Sequence, residues 1–370
     1  MGGNGLRVGL DLSLIQRDRT GLWVYGSYLS DALQRAGDDV QLTRYASPWP
    51  FVRKNVMTRV ANGLAHVVWN QVVLPLRLWR AGMDLLHALA YFGPLACPAP
   101  LVVTYHALTA IPVRYLGGFW NWYFALLMKP TLARADRIIV VSESLRRDLL
   151  HAYRLAADKV RVIYPGVSSA FRPLAGREAK AEIARRFPHL PEKYVLWAGE
   201  INRRKNVPTL LQAFRLLKDR AGVEHKLVLA GGPGLGFAEV EHTIADLGLR
   251  GDVVLLGHQP HSEMPCLYNG ASAFVYPSLY EGFGSPLVEA MACGCPVATS
   301  NAAAMPEVVA DAGKIFDPRN AESIAESLEE ILTDPDLAVA LRAGGLERAR
   351  QFSWGKAAAE TLAVYREVAG

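Results

Sequence analysis

The chain is expected to fold as an α/β protein with two doubly wound parallel sheets. Three observations predict this. Short apolar runs, several of them β-branched, alternate with helical stretches in both halves. Glycines cluster just after the ends of those runs, at Gly199, Gly231, Gly232 and Gly257. At 370 residues the chain also exceeds one ordinary core and suits two domains. Strands buried on both faces read as continuous apolar runs, and open sheets of this class bind ligands beyond the carboxyl ends of their strands. The architecture implied is two such domains facing each other across a cleft.

In the first half, strands are expected at 6–12, 40–45, 85–88, 101–105, 137–142 and 160–163, and helices at 20–36 and 144–155. The segment 168–176, which carries Pro173, breaks the rhythm and reads as a linker. It divides an N-terminal domain, 1–170, from a C-terminal one, 174–352. Beyond it the pattern restarts, with strands at 194–198, 226–230, 253–256, 273–276 and 297–299. Helices fit at 207–221, 238–247, 285–292 and 321–332.

A hydrophobic fraction of 51% with 20% charged residues describes a globular chain. The N-terminal stretch shows no secretory signal pattern, and no run of eighteen apolar residues exists to span a membrane. Cys97, Cys266, Cys293 and Cys295 are scattered, and the single C-x-C lacks the second pair a zinc site wants, so they read as buried free thiols of a cytosolic protein. From Val40 to Ala135 the one acidic residue is Asp84, among Arg44, Arg53, Lys54, Arg59, Arg77, Arg80, Arg114, Lys129 and Arg134. Trp49, Trp69, Trp79, Trp120 and Trp122 are interleaved with them. Basic residues and tryptophan suit an anionic membrane face. The alternatives are core tryptophans with a solvated basic face, or a nucleic-acid surface, for which no motif is present.

The chemistry concentrates in the run from Glu281 to Gly294. Ser285 is a suitable N-cap and Pro286 a suitable first helical residue. Gly282, Phe283 and Gly284 then lie above the positive end of a helix, a site for phosphate. Glu289 is expected in the first turn, so that both glutamates face one ligand, and acids beside phosphate suit sugar hydroxyls. The alternative is a solvated Glu281 with Glu289 serving only the helix dipole. Gly199 ends a strand, and Arg203, Arg204 and Lys205 follow at a helix start, where cations are unfavourable without an anion. Asn206 is the candidate cap of that helix, and Pro208 falls in its first turn. The run Leu229–Gly236 is glycine-rich but fits neither a dinucleotide fingerprint nor a P-loop, and reads as a turn or a ligand approach. In the first half, Gly21 opens a helix after the first strand. His106 follows a strand end, where an imidazole serves either as a structural residue or as a partner for sugar or phosphate.

These motifs together resemble the family 4 retaining glycosyltransferases of GT-B fold, over nearly the whole length. The resemblance rests on the E-x7-E pair Glu281 and Glu289 continuing into MACGCPVATS, on the Arg204–Asn206 turn, on DRIIVVS at 136–142 and on IYPGV at 163–167. Phe352-Ser-Trp354 resembles the start of the terminal helix, which in the family crosses back onto the first domain, here over 353–370. The resemblance implies an acceptor-binding first domain and a donor-binding second one. It assigns Glu281 to the donor sugar, the backbone N–H groups of Phe283–Ser285 to sugar and phosphate, and Glu289 to the ribose. Arg204 and Lys205 would neutralise the diphosphate with no metal and no cofactor beyond the GDP- or UDP-linked sugar. Gly21 would let its loop approach the phosphates, and His106 would face the transferred sugar. The family often has His-Asp-Leu where this chain has His106-Ala107-Leu108, and a second glycine where it has Trp23.

The activity implied is transfer of a hexose, with retained configuration, to a glycan or lipid-linked acceptor at the inner membrane face. The Arg-Lys-Asn form resembles mannosyltransferases of surface-polysaccharide assembly and points to GDP-mannose. Catalysis would be electrostatic, by same-face displacement. A nucleotide-sugar 2-epimerase on the same fold and a non-catalytic sugar-nucleotide-binding homologue are the alternatives.

Overall fold

A computed structural model describes residues 5–15, 21–37, 39–48, 56–107, 118–174 and 176–370, without the side chains of 56–61, 118–125 and 176–180. Thr20, Trp49, Arg53, Lys54, Leu108 and Arg114 lie outside the described residues, as do the side chains of Arg59, Trp120 and Trp122. The chain divides into two compact units. One comprises Met1–Gly166 with Trp354–Gly370, the other Val167–Ser353.

The first unit is built on β1 (Leu6–Asp11), β2 (Val40–Tyr45), β3 (Leu85–Ala88), β4 (Leu101–Tyr105), β5 (Arg137–Val140) and β6 (Val160–Val162). All pair in parallel, in the order β2-β1-β3-β4-β5-β6. Every residue of β3 and β4 is buried, as helices on both faces of a parallel sheet require. The helix Glu143–Tyr153 is capped by Ser142, whose hydroxyl accepts from the Leu145 N–H, so it begins one residue before the expected start. The final helix, Trp354–Ala369, packs on Gly21–Ala36. Its Tyr365 hydroxyl lies 2.6 Å from Nδ1 of His87 on β3, whose Nε2 is 2.7 Å from Thr104 Oγ1 on β4.

The second unit is built on β7 (Tyr194–Ala198), β8 (Lys226–Ala230), β9 (Val253–Leu255), β10 (Ala273–Tyr276), β11 (Val297–Ser300) and β12 (Lys314–Phe316). Their order is β12-β11-β10-β7-β8-β9, again all parallel. The order reverses between β7 and β10, so the chain leaves these two neighbours in opposite directions. That divergence opens a crevice beyond their carboxyl ends. The core beneath is made by Trp197, Phe214, Leu229 and Val275, all fully buried.

Several elements differ from the sequence expectation. β12 has only three residues, too short to show a pattern. The run Val56–Ala81 forms an α-helix interrupted by a π turn at Trp69–Val73, an element absent from the sequence expectation. Of the tryptophans assigned to a membrane face, Trp69 is core and Trp79 is exposed. Arg44 is paired with Asp31 and Arg134 with Asp136. Cys266, Cys293 and Cys295 are buried free thiols and Cys97 is half-buried. Among the described residues no helix is long and apolar enough to cross a membrane.

Candidate active site

The site is set by two loops leaving adjacent strands. After β7 the chain turns through Gly199, whose φ of +147° suits glycine. It then stays beside the glycine-rich loop that follows β8: Gly199 N–H donates to Ala230 O (3.1 Å) and Ile201 N–H to Gly232 O (3.0 Å). A Cβ on Gly231 would stand 1.7 Å from the Gly199 carbonyl oxygen, and one on Gly234 2.7 Å from that of Ile201. These glycines therefore serve the packing of one loop on the other. Held this way, Arg203–Lys205 forms a short 3-10 turn ahead of the helix Val207–Ala221. Asn206 occupies the cap position in left-handed conformation, but its oxygen accepts from the Thr209 hydroxyl (2.7 Å) and no backbone N–H.

The loop after β10 is clasped to this turn. Leu279 N–H donates to Arg204 O (2.9 Å), and the Arg204 guanidinium donates to Tyr280 O (2.6 Å). Glu281 is thereby brought between two cations, 2.8 Å from Lys205 Nζ and 2.5 Å from Arg204 Nη1. Tyr276, the last residue of β10, completes the cluster: its hydroxyl accepts from Lys205 and donates to Glu281 Oε1 (3.3 Å). The ammonium also lies 4.5 Å from the centre of the Tyr276 ring, close enough for a cation–π contact. Lys205 is 7% exposed. Burial lowers its pKa and Arg204 adds to that, against the support of Glu281. Burial works against the charge of Glu281 too, but Lys205 and Arg204 outweigh it and hold the carboxyl at about 2.

Two local expectations are corrected. The helix Ser285–Ala292 is capped by Gly284, with φ +102°, and Ser285 is its first residue. A turn this tight needs a left-handed residue, which glycine adopts without strain. Glu289 consequently falls in the second turn, and no acid lies in the first. Its two oxygens are engaged separately, by His261 Nε2 at 2.9 Å and the Tyr268 hydroxyl at 3.2 Å. Burial opposes the charge on His261, yet Glu289 outweighs it and raises the imidazole pKa. Phe283 is buried edge-on against Phe352, ring centres 5.5 Å apart, which anchors the loop between Gly282 and the helix.

Gly21 and His106 belong to the first unit. Gly21 opens the helix Gly21–Ala36, and among the described residues a Cβ there would meet nothing within 4 Å. Tyr25 on that helix packs edge-on against His106 at 4.5 Å. His106 donates from Nε2 to Leu89 O (2.8 Å), and burial lowers its pKa to about 4, so at neutral pH the ring is uncharged. The sequence reading did not single out Tyr276, Tyr268 or His261. Tyr276 stood at a readable position, the polar tip of a buried strand; the other two meet Glu289 only through tertiary packing.

Fold and site together define a two-domain α/β protein of GT-B class, with an ion-paired cluster at the switch point of its second sheet. Residues 19–171 match the model of Glycosyltransferase Family 4, and residues 180–348 that of Glycosyl transferases group 1. The chain belongs to the family 4, group 1 glycosyltransferases. It is 34% identical over 245 residues to O-antigen chain mannosyltransferase B of Escherichia coli, covering 66% of this chain and 64% of that relative, somewhat less than two thirds of its length. Sucrose-phosphate synthase of Thermosynechococcus elongatus shares the fold at a TM-score of 0.75 and 23% identity, over 98% of both chains. HepE of Anabaena does so at 0.73 and 17%, over 97% of this chain and 100% of that one.

Proposed function

We propose that the protein is a retaining glycosyltransferase moving a hexose from a nucleotide diphosphate sugar to a glycan or lipid-linked acceptor in surface-polysaccharide assembly. The observation that carries this reading is the convergence of Lys205 and Arg204 on Glu281 beyond the ends of β7 and β10. Two cations held at a strand-order reversal, beside a helix start, suit a diphosphate. The donor diphosphate takes the cations over from Glu281, and the released carboxylate turns to the hydroxyls of the sugar. Glu289, oriented by His261 and Tyr268, accepts from the ribose. Gly199 and the backbone N–H groups from Gly282 to Ser285 line the same ligand. As the bond to the leaving diphosphate breaks, Lys205, Arg204 and the helix N-terminus stabilise the charge that grows there, in the role a metal plays elsewhere. His106 and Gly21, carried by the first unit, are assigned to the donor by resemblance alone, His106 as a neutral hydrogen-bonding group. Similarity to an O-antigen chain mannosyltransferase favours mannose, with GDP-mannose as donor.

A thermal-shift series with GDP, UDP and their sugars tests the donor, because a ligand of the folded state raises stability by mass action. GDP and GDP-mannose are expected to give the largest shifts, and larger shifts with the uridine series would replace the donor. Transfer to an acceptor should survive EDTA and yield the α-linked product from an α-linked donor by proton NMR. A β-linked product would overturn retention.

A further inference from the structure

The chain passes between the two units twice, at Gly166–Val167 and at Ser353–Trp354. On the side of the second unit these two ends lie against each other. Val167 N–H donates to Phe352 O (3.1 Å), and Val167 forms a parallel bridge with Ser353. Each end carries one buried phenylalanine, and each ring rests on a different half of the candidate donor site. Phe171, 5% exposed, stands 4.9 Å from the His261 ring and 6.1 Å from the Tyr268 ring, centre to centre. Those two side chains are the ones that engage Glu289. Asn269, the residue after Tyr268, staples the same segment: its Nδ2 donates to Arg172 O (3.0 Å) and its Oδ1 accepts from Leu174 N–H (2.7 Å). Phe352, 4% exposed, meets Phe283 in the loop that follows Glu281. The Arg348 guanidinium lies 5.0 Å from the Phe352 ring centre and is itself tied to Glu307 O and Val308 O (2.7 and 3.0 Å). Contacts of this kind fix the orientation of a ring. Neither phenylalanine is part of the core around Trp197 and Phe214, so what the two rings hold is the loops they touch.

We propose that the paired crossing segments form a positioning frame for the donor: Phe171 sets Glu289 through His261 and Tyr268, and Phe352 sets the donor loop through Phe283. The inference rests on the reading of Glu289 as the ribose acceptor and of residues 282–285 as the loop for phosphate and sugar. Both phenylalanines act through other side chains and are positioning residues. The Phe171 ring limits the rotamers open to His261, and with them the direction in which the Glu289 carboxylate is held. Phe352 does the same for Phe283. A site ordered in advance loses less entropy when its ligand arrives. The linkage is reciprocal, so a bound donor stiffens both crossing segments.

Calorimetric titration of the full chain separates the two arms. The ligands are the nucleoside diphosphate that raises the melting temperature more, GDP or UDP, and the 2′,3′-dideoxy form of the same nucleotide. Phe171→Leu should lose about tenfold in affinity for the nucleotide, yet bind the dideoxy form within about twofold of wild type, because only the ribose hydroxyls report on Glu289. Phe352→Leu should lose about tenfold for both ligands alike. In the wild-type protein, bound nucleotide should slow amide exchange in peptides covering 167–174 and 350–354 by about tenfold. Equal losses for both ligands in Phe171→Leu overturn the proposal, as does wild-type affinity in either variant. Should a variant fold poorly, the exchange measurement stands on the wild type alone, and exchange at 167–174 that ignores bound nucleotide overturns the proposal too. Protein that binds neither GDP nor UDP fails earlier, at the reading of the site itself, and takes this inference with it.

Discussion

Glu281 answers two cations at once, and this makes it the most informative residue to change. Its carboxyl is held at about 2, against an ordinary value of 4.5. A carboxylate depressed in this way contributes stability that is complete above pH 4.5 and is lost as pH falls towards 2. Glu281→Gln should therefore lower the melting temperature at pH 7, because it leaves Lys205 and Arg204 facing each other uncompensated. It should also enlarge the thermal shift given by a nucleoside diphosphate, since the anion restores the missing charge. A shift smaller than that of wild type would contradict the sharing of these cations between carboxylate and diphosphate. Lys205→Ala should reduce turnover on the order of a hundredfold, measured as kcat with saturating acceptor. Arg204, Lys205, Glu281 and Glu289 could be picked out as candidates because strand ends and helix starts surround them in sequence. That Glu281 would pair with the cations was not legible. It depends on β7 and β10 being neighbours, although 76 residues separate Lys205 from Glu281.

Among the elements, β4, β7, β8 and β10 were read to the residue from largely apolar runs, and β2 and β3 equally well although Gln41, Thr43, Arg44 and His87 interrupt them. The failures have physical causes. The bounds of Ser285–Ala292 were read correctly, but its cap was assigned to the Ser285 side chain, whereas the left-handed backbone at Gly284 supplies it. The glycine-rich run after β8 left a turn and a ligand approach equally open, and the tight packing on the neighbouring loop leaves no sequence period to decide between them. Gly231→Ala should accordingly displace the loop that carries Arg203–Lys205, lowering nucleoside diphosphate affinity together with melting temperature. Calorimetric titration at wild-type affinity would show that the two loops move independently. The final helix is fastened by Tyr365 to His87, whose pKa is lowered to about 3, by burial first and by His106 second. A histidine kept neutral by the fold contributes stability that is complete above its ordinary 6.5 and is lost as pH falls towards 3. Tyr365→Phe should cost about 1–3 kcal/mol in denaturant unfolding at pH 7, because it strips a buried imidazole nitrogen of its partner.

At the scale of the whole molecule, Arg204, Lys205, Glu281 and Glu289 all belong to the unit Val167–Ser353, which is one uninterrupted stretch. Residues 167–353 expressed alone should fold and retain nucleoside diphosphate binding by calorimetry. Residues 5–166 alone should show the poor amide protection of a loosened core, because Trp354–Ala369 supplies part of their packing. The two-sheet plan was legible in the alternation of apolar runs and helices, since that rhythm restarts after residue 176. The return of the last helix to the first unit carries no local signal and came only through resemblance. That return has a consequence for biogenesis. A ribosome delivers the second unit complete while the first still lacks its closing helix, with His87 awaiting Tyr365 some 278 residues later. The usual order, in which the earlier-made domain matures first, is reversed here. The sheet β1–β6 can complete its packing only once Trp354–Ala369 has emerged.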